Sequence, residues 1–356
     1  MTNRRDFIKQ LSAAAAAGLV PSTITSRTPA NRTPATQTLN TPTSLTGEKI
    51  WACLMHLSFN FAGGIKSWGG LRTEFEPDQS VWDNAIKSMA SNGINMVVIN
   101  LDDSVLWRSH PEISLENSWT PERLREELEK IRRQGIEPIP MLNFAATHDA
   151  WLGKYAKMVS TSPYYRVCKD LIAEAIEIFD NPRFIHFGMD EEDYSHQSHF
   201  DYIVIRQNEL WWGDLYFYIS EAMKKNVRPW VWSDYVWHHP EQFFKMMPKS
   251  VIQSNWYYGE NFDPELTYVK AYLDLEAEGY DQIPTGSFHA VPSKNFEALN
   301  PKNIGNTVEF CSKHIADSRL MGFMQTFWMP TTIRFEPTIL KAIDLIGEAK
   351  RSFEEK

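Results

Sequence analysis

The sequence predicts an α/β chain folded as a (β/α)8 TIM barrel, and two observations carry that prediction. Short runs rich in β-branched and aromatic residues alternate with longer amphipathic runs eight times after Lys49. No glycine-rich phosphate loop follows the first short run, as a dinucleotide-binding open sheet would require. Strict alternation means parallel strands joined by right-handed helical crossovers, and eight such units can close on themselves.

In order, the strand candidates are IWACLMHL (50–57), NMVVINL (95–101), EPIPMLN (137–143), FIHFG (184–188), RPWVWS (228–233), VIQSNW (251–256), DQIPTG (281–286) and GFMQTFW (322–328). The seventh is the least regular, because Pro284 cannot donate to a ladder. Among the helical runs, TPERLREELEKIRRQG has the clearest ends: Thr120 caps it, Pro121 takes its first position and Gly135 closes it. Similar runs start near Val81, Pro163, Asn208, Pro240, Pro264, Pro301 and Pro337.

The first residues differ from the rest. Arg4 and Arg5 precede Phe7, Ile8 and an Ala-rich run, so residues 1–20 resemble a twin-arginine signal and predict export to the periplasm or outside the cell. A starter helix of the folded part is the alternative. Residues 21–48 are Thr/Pro-rich and cannot bury a core, which predicts a disordered linker before a barrel over 49–356. No run approaches the ~20 apolar residues a membrane span needs.

Composition narrows the partners. The net charge is −9 with no basic block, which excludes a phosphate-binding footprint and so nucleic acid. Cys53, Cys168 and Cys311 are too few and too far apart for a disulfide framework or a zinc pattern.

In a parallel barrel the chemistry lies where strands end and βα loops begin. Asp190, Glu191, Glu192 and Asp193 follow the fourth strand, in PRFIHFGMDEEDYSH. A solvated acidic turn is the plain reading of such a quartet. Other strand ends, however, carry His56, Asn60, Asn100 to Asp103, Asn143, Asp234, Asn255 with Trp256, His289 and Trp328. Strand alternation also puts Trp230, Trp232 and Asp234 on one side of the fifth strand. Acids, amides and indoles converging from several strand ends describe a site.

The motifs resemble those of the family 20 glycoside hydrolases, the β-N-acetylhexosaminidases. HFGMDEE is similar to that family's His-x-Gly-Gly-Asp-Glu, with Met189 at the second glycine. NLDDSVLWR is similar to its second-strand pattern, aligning Asn100 with its His, Asp103 with its Asp, and Trp107 and Arg108 with its closing Trp-Arg. PMLNFAATH aligns Asn143 and His148 with its Asp and His, while VWSD, VIQSNW and Trp328 fall at its Trp-bearing strand ends. The likeness runs in order from about residue 50 to 330. It departs from the family in the arginine missing from IWACLMHLSFN, in TGSFHAVP at the seventh strand and in MPTT after Trp328. Tyr257 or Tyr258 could stand in for the tyrosine lost there.

The resemblance implies a hydrolase with a carbohydrate substrate, no cofactor and no metal, and the twin-arginine leader predicts its export. Glu191 would be the proton donor, and Asp190 would steady a substrate 2-acetamido group that attacks in place of a protein carboxylate. Asp103, Trp107, Asn143, His148, Trp232, Asp234, Trp256 and Trp328 would bind substrate, the indoles by stacking on sugar faces. For a sugar without an acetamido group, Asp234 or Asp103 becomes the nucleophile or base. Glu192 and Asp193 fit surface charges at a helix start. Two other readings stay open. One is a catalytically silent glycan-binding barrel. The other is a divalent-metal sugar isomerase or epimerase using His56, Glu191, Asp234 and His289.

Overall fold

Eight parallel strands run in the predicted order: β1 Ile50–His56, β2 Met96–Asn100, β3 Glu137–Met141, β4 Phe184–His186, β5 Arg228–Trp232, β6 Ile252–Ser254, β7 Thr285–Ser287 and β8 Gly322–Thr326. They form one sheet in the order β6-β5-β4-β3-β2-β1-β8-β7. Single bridges from Gln253 to Gln282 and from Trp256 to Thr285 bring its two ends together. The chain is therefore a nearly closed (β/α)8 barrel. The computed structural model describes residues 48–60, 70–198, 200, 202–288 and 300–355. The twin-arginine segment, the Thr/Pro-rich stretch up to residue 47 and His289 lie outside them. No helix among the described residues is long and apolar enough to cross a membrane.

The helices are α1 Gln79–Ser91, α2 Pro121–Arg133, α3 Ser162–Ile178, α4 Tyr194–Gln197, α5 Glu209–Met223, α6 Tyr235–His238, α7 Pro240–Met246, α8 Thr267–Ala277, α9 Asn303–His314 and α10 Glu336–Glu354. Two are additions to the expected eight: α4 and α6 are single turns on the loops after β4 and β5. Helix α2 begins as its sequence predicts, with Thr120 Oγ1 accepting from the Arg123 N–H at 3.1 Å.

The period-two pleat divides the strand residues into two cores. Ile50, Ala52 and Leu54 of β1, Val98 of β2 and Trp230 and Trp232 of β5 fill the lumen. Trp51, Cys53 and Met55 point the other way, into the layer between strands and helices. Trp211 and Trp212 of α5 both join that outer layer. The lumen parity continues past the strand ends, and register pairs His56 with Asn100, Asn100 with Met141 and Met141 with His186.

Prolines explain where ladders stop. The Leu142 and Phe144 amides donate to the β4 strand at 3.0 Å. By alternation Pro138 and Pro140 face the same neighbour without an N–H, so the β3–β4 pairing reduces to Met141 with His186. Pro284 likewise delays β7, whose ladder with β8 starts at Thr285 rather than at the expected residue 281. A side-chain chain supports this thin side of the barrel. The Trp230 indole donates to Ser254 Oγ at 2.6 Å, and that hydroxyl donates to the Ile283 carbonyl at 2.7 Å. Ser254→Ala leaves the buried Trp230 indole N–H unpaired and takes one of two hydroxyl donors from the Ile283 carbonyl, which keeps Thr285 Oγ1 at 3.3 Å. We expect it to cost about 1–3 kcal/mol, read as a lowered denaturation midpoint with an unchanged m-value.

Candidate active site

Strand β4 ends in a sharp reversal. Gly188 has φ +69°, and a Cβ there would lie 1.9 Å from Asn143 Oδ1, so only glycine fits. Met189 and Glu191 also take left-handed backbone, at φ 75° and 55°. Such conformations cost about 1–2 kcal/mol for a residue with a side chain. They turn the four acids to four different surroundings.

Asp190 points into the mouth of the barrel and is buried. Its Oδ1 accepts from Asn143 Nδ2 at 3.2 Å, and its Oδ2 lies 3.3 Å from His148 Nε2. The same imidazole nitrogen lies 3.3 Å from Glu191 Oε2. Burial works against the charge on His148, but the carboxylates of Asp190 and Glu191 outweigh it and hold the imidazole protonated well above its ordinary range. Burial also opposes ionisation of Asp190, yet His148 and the Asn143 amide bring its pKa below the usual carboxylate value. Asp190 is thus ionised and His148 is its cation.

Asp234, at the end of β5, accepts the Glu191 N–H on Oδ2 at 2.9 Å, while its Oδ1 has no protein partner. Burial, and then the charge of Asp190, raise its pKa well above the ordinary carboxylate value. His186 stays neutral, because burial lowers its pKa to about 3. Its Nδ1 accepts the Gly188 N–H at 3.0 Å, which leaves the ring proton on Nε2.

Three indoles surround these acids. Trp232 is buried in the lumen, with Trp256 and Trp328 packed half-buried on the same cluster. Trp328 lies 6.0 Å from Trp232 between ring centroids, and its Nε1 donates to the Tyr258 hydroxyl at 3.2 Å. Tyr258 is buried and stacks on Trp256 at 5.0 Å. Of the two tyrosines considered as replacements, this is the one at the mouth. Tyr257 packs against Phe262 and Tyr268 instead.

The structure therefore brings Asp190, Glu191, Asn143, His148, Trp232, Asp234, Trp256 and Trp328 together. Two expected substrate residues are elsewhere. Trp107 is fully buried in the outer layer, where its Nε1 donates to the Asp102 carbonyl at 2.8 Å, so it has no face for a sugar. Asp103 accepts from Ser58 Oγ at 2.6 Å and Asn60 Nδ2 at 2.7 Å, anchoring the loop after β1. Arg108 is a surface residue paired with Glu122 at 2.5 Å.

Glu192 also departs from expectation. Its side chain is 4% exposed and faces Arg206, which is 2% exposed. Arg206 donates Nε to Glu192 Oε2 at 3.0 Å and also bonds its Oε1. It further reaches Asp214 of α5 at 3.0 Å and the Phe144 carbonyl at 2.7 Å. Glu192 Oε1 takes the Ala146 N–H as well, at 2.8 Å. This buried pair ties the loop after β3 to the loop after β4. Only Asp193 matches the helix-start reading: it caps α4, accepting the His196 N–H at 3.0 Å.

Sequence reasoning missed Arg206, His186 and His196. Arg206 had a signal, being the sole arginine between Arg183 and Arg228 and following an acidic quartet that needs a counter-charge. Of the isomerase ligand set, His289 lies outside the described residues, and His56, Glu191 and Asp234 do not form a group close enough to share a cation. The group close enough to share a cation is instead His148, Asp190 and Glu191, with donor atoms within 4.8 Å. Protonated His148 already supplies positive charge at that point.

No protein-family model and no curated protein sequence matches the chain. Solved structures do resemble its fold. A β-N-acetylhexosaminidase from Bacteroides fragilis is 13% identical with a TM-score of 0.57, over 83% of this chain and 65% of that one. A family 20 exo-β-N-acetylglucosaminidase from Vibrio harveyi is 13% identical with a TM-score of 0.58, over 85% and 54%. The family 20 β-N-acetylhexosaminidase of Streptomyces coelicolor is 12% identical with a TM-score of 0.57, over 84% and 64%. The chain spans between about half and two thirds of the length of these proteins. At this identity the likeness shows the (β/α)8 fold alone.

The two acids that were read alike should now behave differently. Glu192→Ala removes one of the two carboxylates paired with buried Arg206, leaving Asp214, and should destabilise by up to about 3–5 kcal/mol. Asp193→Ala removes a helix cap and exposed contacts to Ser195 and His196, and should cost only about 0.5–2 kcal/mol. Denaturation midpoints of the two variants measure the contrast.

Proposed function

We propose that this protein is a glycoside hydrolase of hexosaminidase type, with Glu191 as proton donor and Asp190 as the group that steadies an attacking acetamido oxygen. The observation that carries this reading is the arrangement at the barrel mouth: Glu191 lies between two imidazoles, beside an ionised Asp190, in front of Trp232, Trp256 and Trp328.

The chemistry follows from these charges. Glu191 passes its proton to the glycosidic oxygen as the bond to the anomeric carbon breaks. The carbonyl oxygen of the 2-acetamido group attacks that carbon, and positive charge grows on the amide. Asp190, kept ionised by His148 and Asn143, accepts the amide N–H and stabilises that charge. Water then attacks the anomeric carbon and breaks its bond to the acetamido oxygen, while Glu191, now a carboxylate, takes the proton of that water and returns to its acid form. Asp234, whose ionisation burial and Asp190 oppose, lies beside Asp190 and holds the Glu191 N–H. The Tyr258 hydroxyl, held by the Trp328 indole, takes the place of the tyrosine missing from TGSFHAVP. With that replacement, and with no arginine at the end of β1, we propose a larger or differently substituted glycan than a simple N-acetylglucosaminide. We also propose export, on the strength of Arg4 and Arg5.

Glu191→Gln should lose about 10²–10⁴-fold on substrates with poor leaving groups, and much less when the leaving group departs unaided. Asp190→Asn should slow both kinds. Steady-state rates on the two substrate types check this, and equal small losses at both positions would remove the hydrolase reading. Replacing Arg4 and Arg5 by Lys should leave precursor in the cytoplasm. Fractionation of cells making the double variant reads this out, and unchanged export would remove the twin-arginine assignment.

A further inference from the structure

The proposed mechanism uses one of the two histidines that touch Glu191. The second, His196, is the third residue of α4 and stands on the open side of the acid. Its Nε2 lies 3.4 Å from Glu191 Oε1, opposite the contact His148 makes with Oε2. Its Nδ1 lies 2.7 Å from Asp193 Oδ2. The other oxygen of Asp193 accepts from the His196 N–H at 3.0 Å and from Ser195 Oγ at 2.5 Å, so the aspartate is fixed on both sides. The backbone of Glu191 is pinned as well. Its N–H binds Asp234 and its carbonyl accepts from Thr147 Oγ1 at 2.6 Å. What remains free in Glu191 is the carboxyl end of a 23% exposed side chain.

We propose that His196, braced by Asp193, is a positioning residue for the proton donor. With Nδ1 held against Asp193, the ring is turned so that Nε2 faces Glu191 Oε1. His148 meets the other oxygen from the buried side. The acid is thereby held between two rings at an orientation that a solvent-facing glutamate would otherwise sample only part of the time. This role rests on Glu191 being the proton donor.

The experiment is a cycle of His196→Ala, Glu191→Gln and the double variant on the full chain, with thermal melting to confirm folding. His196→Ala should lower kcat by about 10- to 100-fold on a poor leaving group, the size expected for a misplaced catalytic group. KM should stay near that of the parent, and the loss should shrink on a leaving group that departs unaided. On the Glu191→Gln background the same change should cost nothing more. His196→Gln, which retains a polar end at similar reach, should recover part of the rate and also serves if the alanine variant fails to fold. Parent-like rates, equal losses on both leaving groups or full additivity would overturn the proposal. If Glu191→Gln alone is harmless, the hydrolase reading fails instead. A readout independent of turnover covers that case: Glu191→Gln should shift the ring NMR signals of His196, and unmoved signals would show the contact does not exist.

Discussion

Four carboxylates in four consecutive residues must each find a separate partner, and the rest of the site is arranged around that requirement. Two like charges about 4 Å apart repel by about 4 kcal/mol at an effective dielectric of 20. On a regular strand the four would share two faces, two acids to each. The left-handed turns at Met189 and Glu191 prevent this by sending the acids in different directions. Asp190 meets His148, Glu191 sits between His148 and His196, Glu192 meets Arg206 and Asp193 caps a helix. Asp234 is the fifth acid in the neighbourhood, and burial and Asp190 oppose its ionisation.

The loop after β3 supplies partners for most of this arrangement. Between residues 143 and 148 it gives Asp190 an amide and an imidazole, Glu192 a backbone N–H and the Glu191 carbonyl a hydroxyl. That density explains Gly188, since Asn143 could not approach β4 past a Cβ. It also explains why the Glu192–Arg206 pair is buried. The pair fastens the two loops to each other from behind, so the segments that carry Glu191 and His148 are joined.

The fold was legible because period-two and helical runs, proline and glycine stops and strict alternation are all local signals. The seventh strand was placed early because Pro284 breaks a ladder that composition alone cannot locate. The acidic quartet was legible as a site, through the convergence of strand ends, but its internal division was not. Glu192 and Asp193 look equivalent in sequence, and only the backbone reversal at Glu191 buries one and exposes the other. Trp107 was misplaced because a tryptophan beside a strand end can face the mouth or the helix layer. Its indole N–H found the Asp102 carbonyl in the outer layer.

Burying this much charge is a poor way to gain stability. A buried ion pair such as Glu192–Arg206 can often be exchanged for apolar side chains at no loss, while left-handed Met189 and Glu191 each carry a conformational penalty. A stretch selected for folding alone would relax these features one by one. Here they coincide at one strand end, opposite an ionised Asp190, an Asp234 whose ionisation burial opposes, and unpaired Asp234 Oδ1 and Trp232 Nε1. Polar atoms left unpaired in a buried mouth are satisfied when a polar ligand enters, whereas in a purely structural core they are a standing cost. The strain, the separated charge and the open hydrogen bonds are together what the proposed function requires of a site that receives a polar ligand.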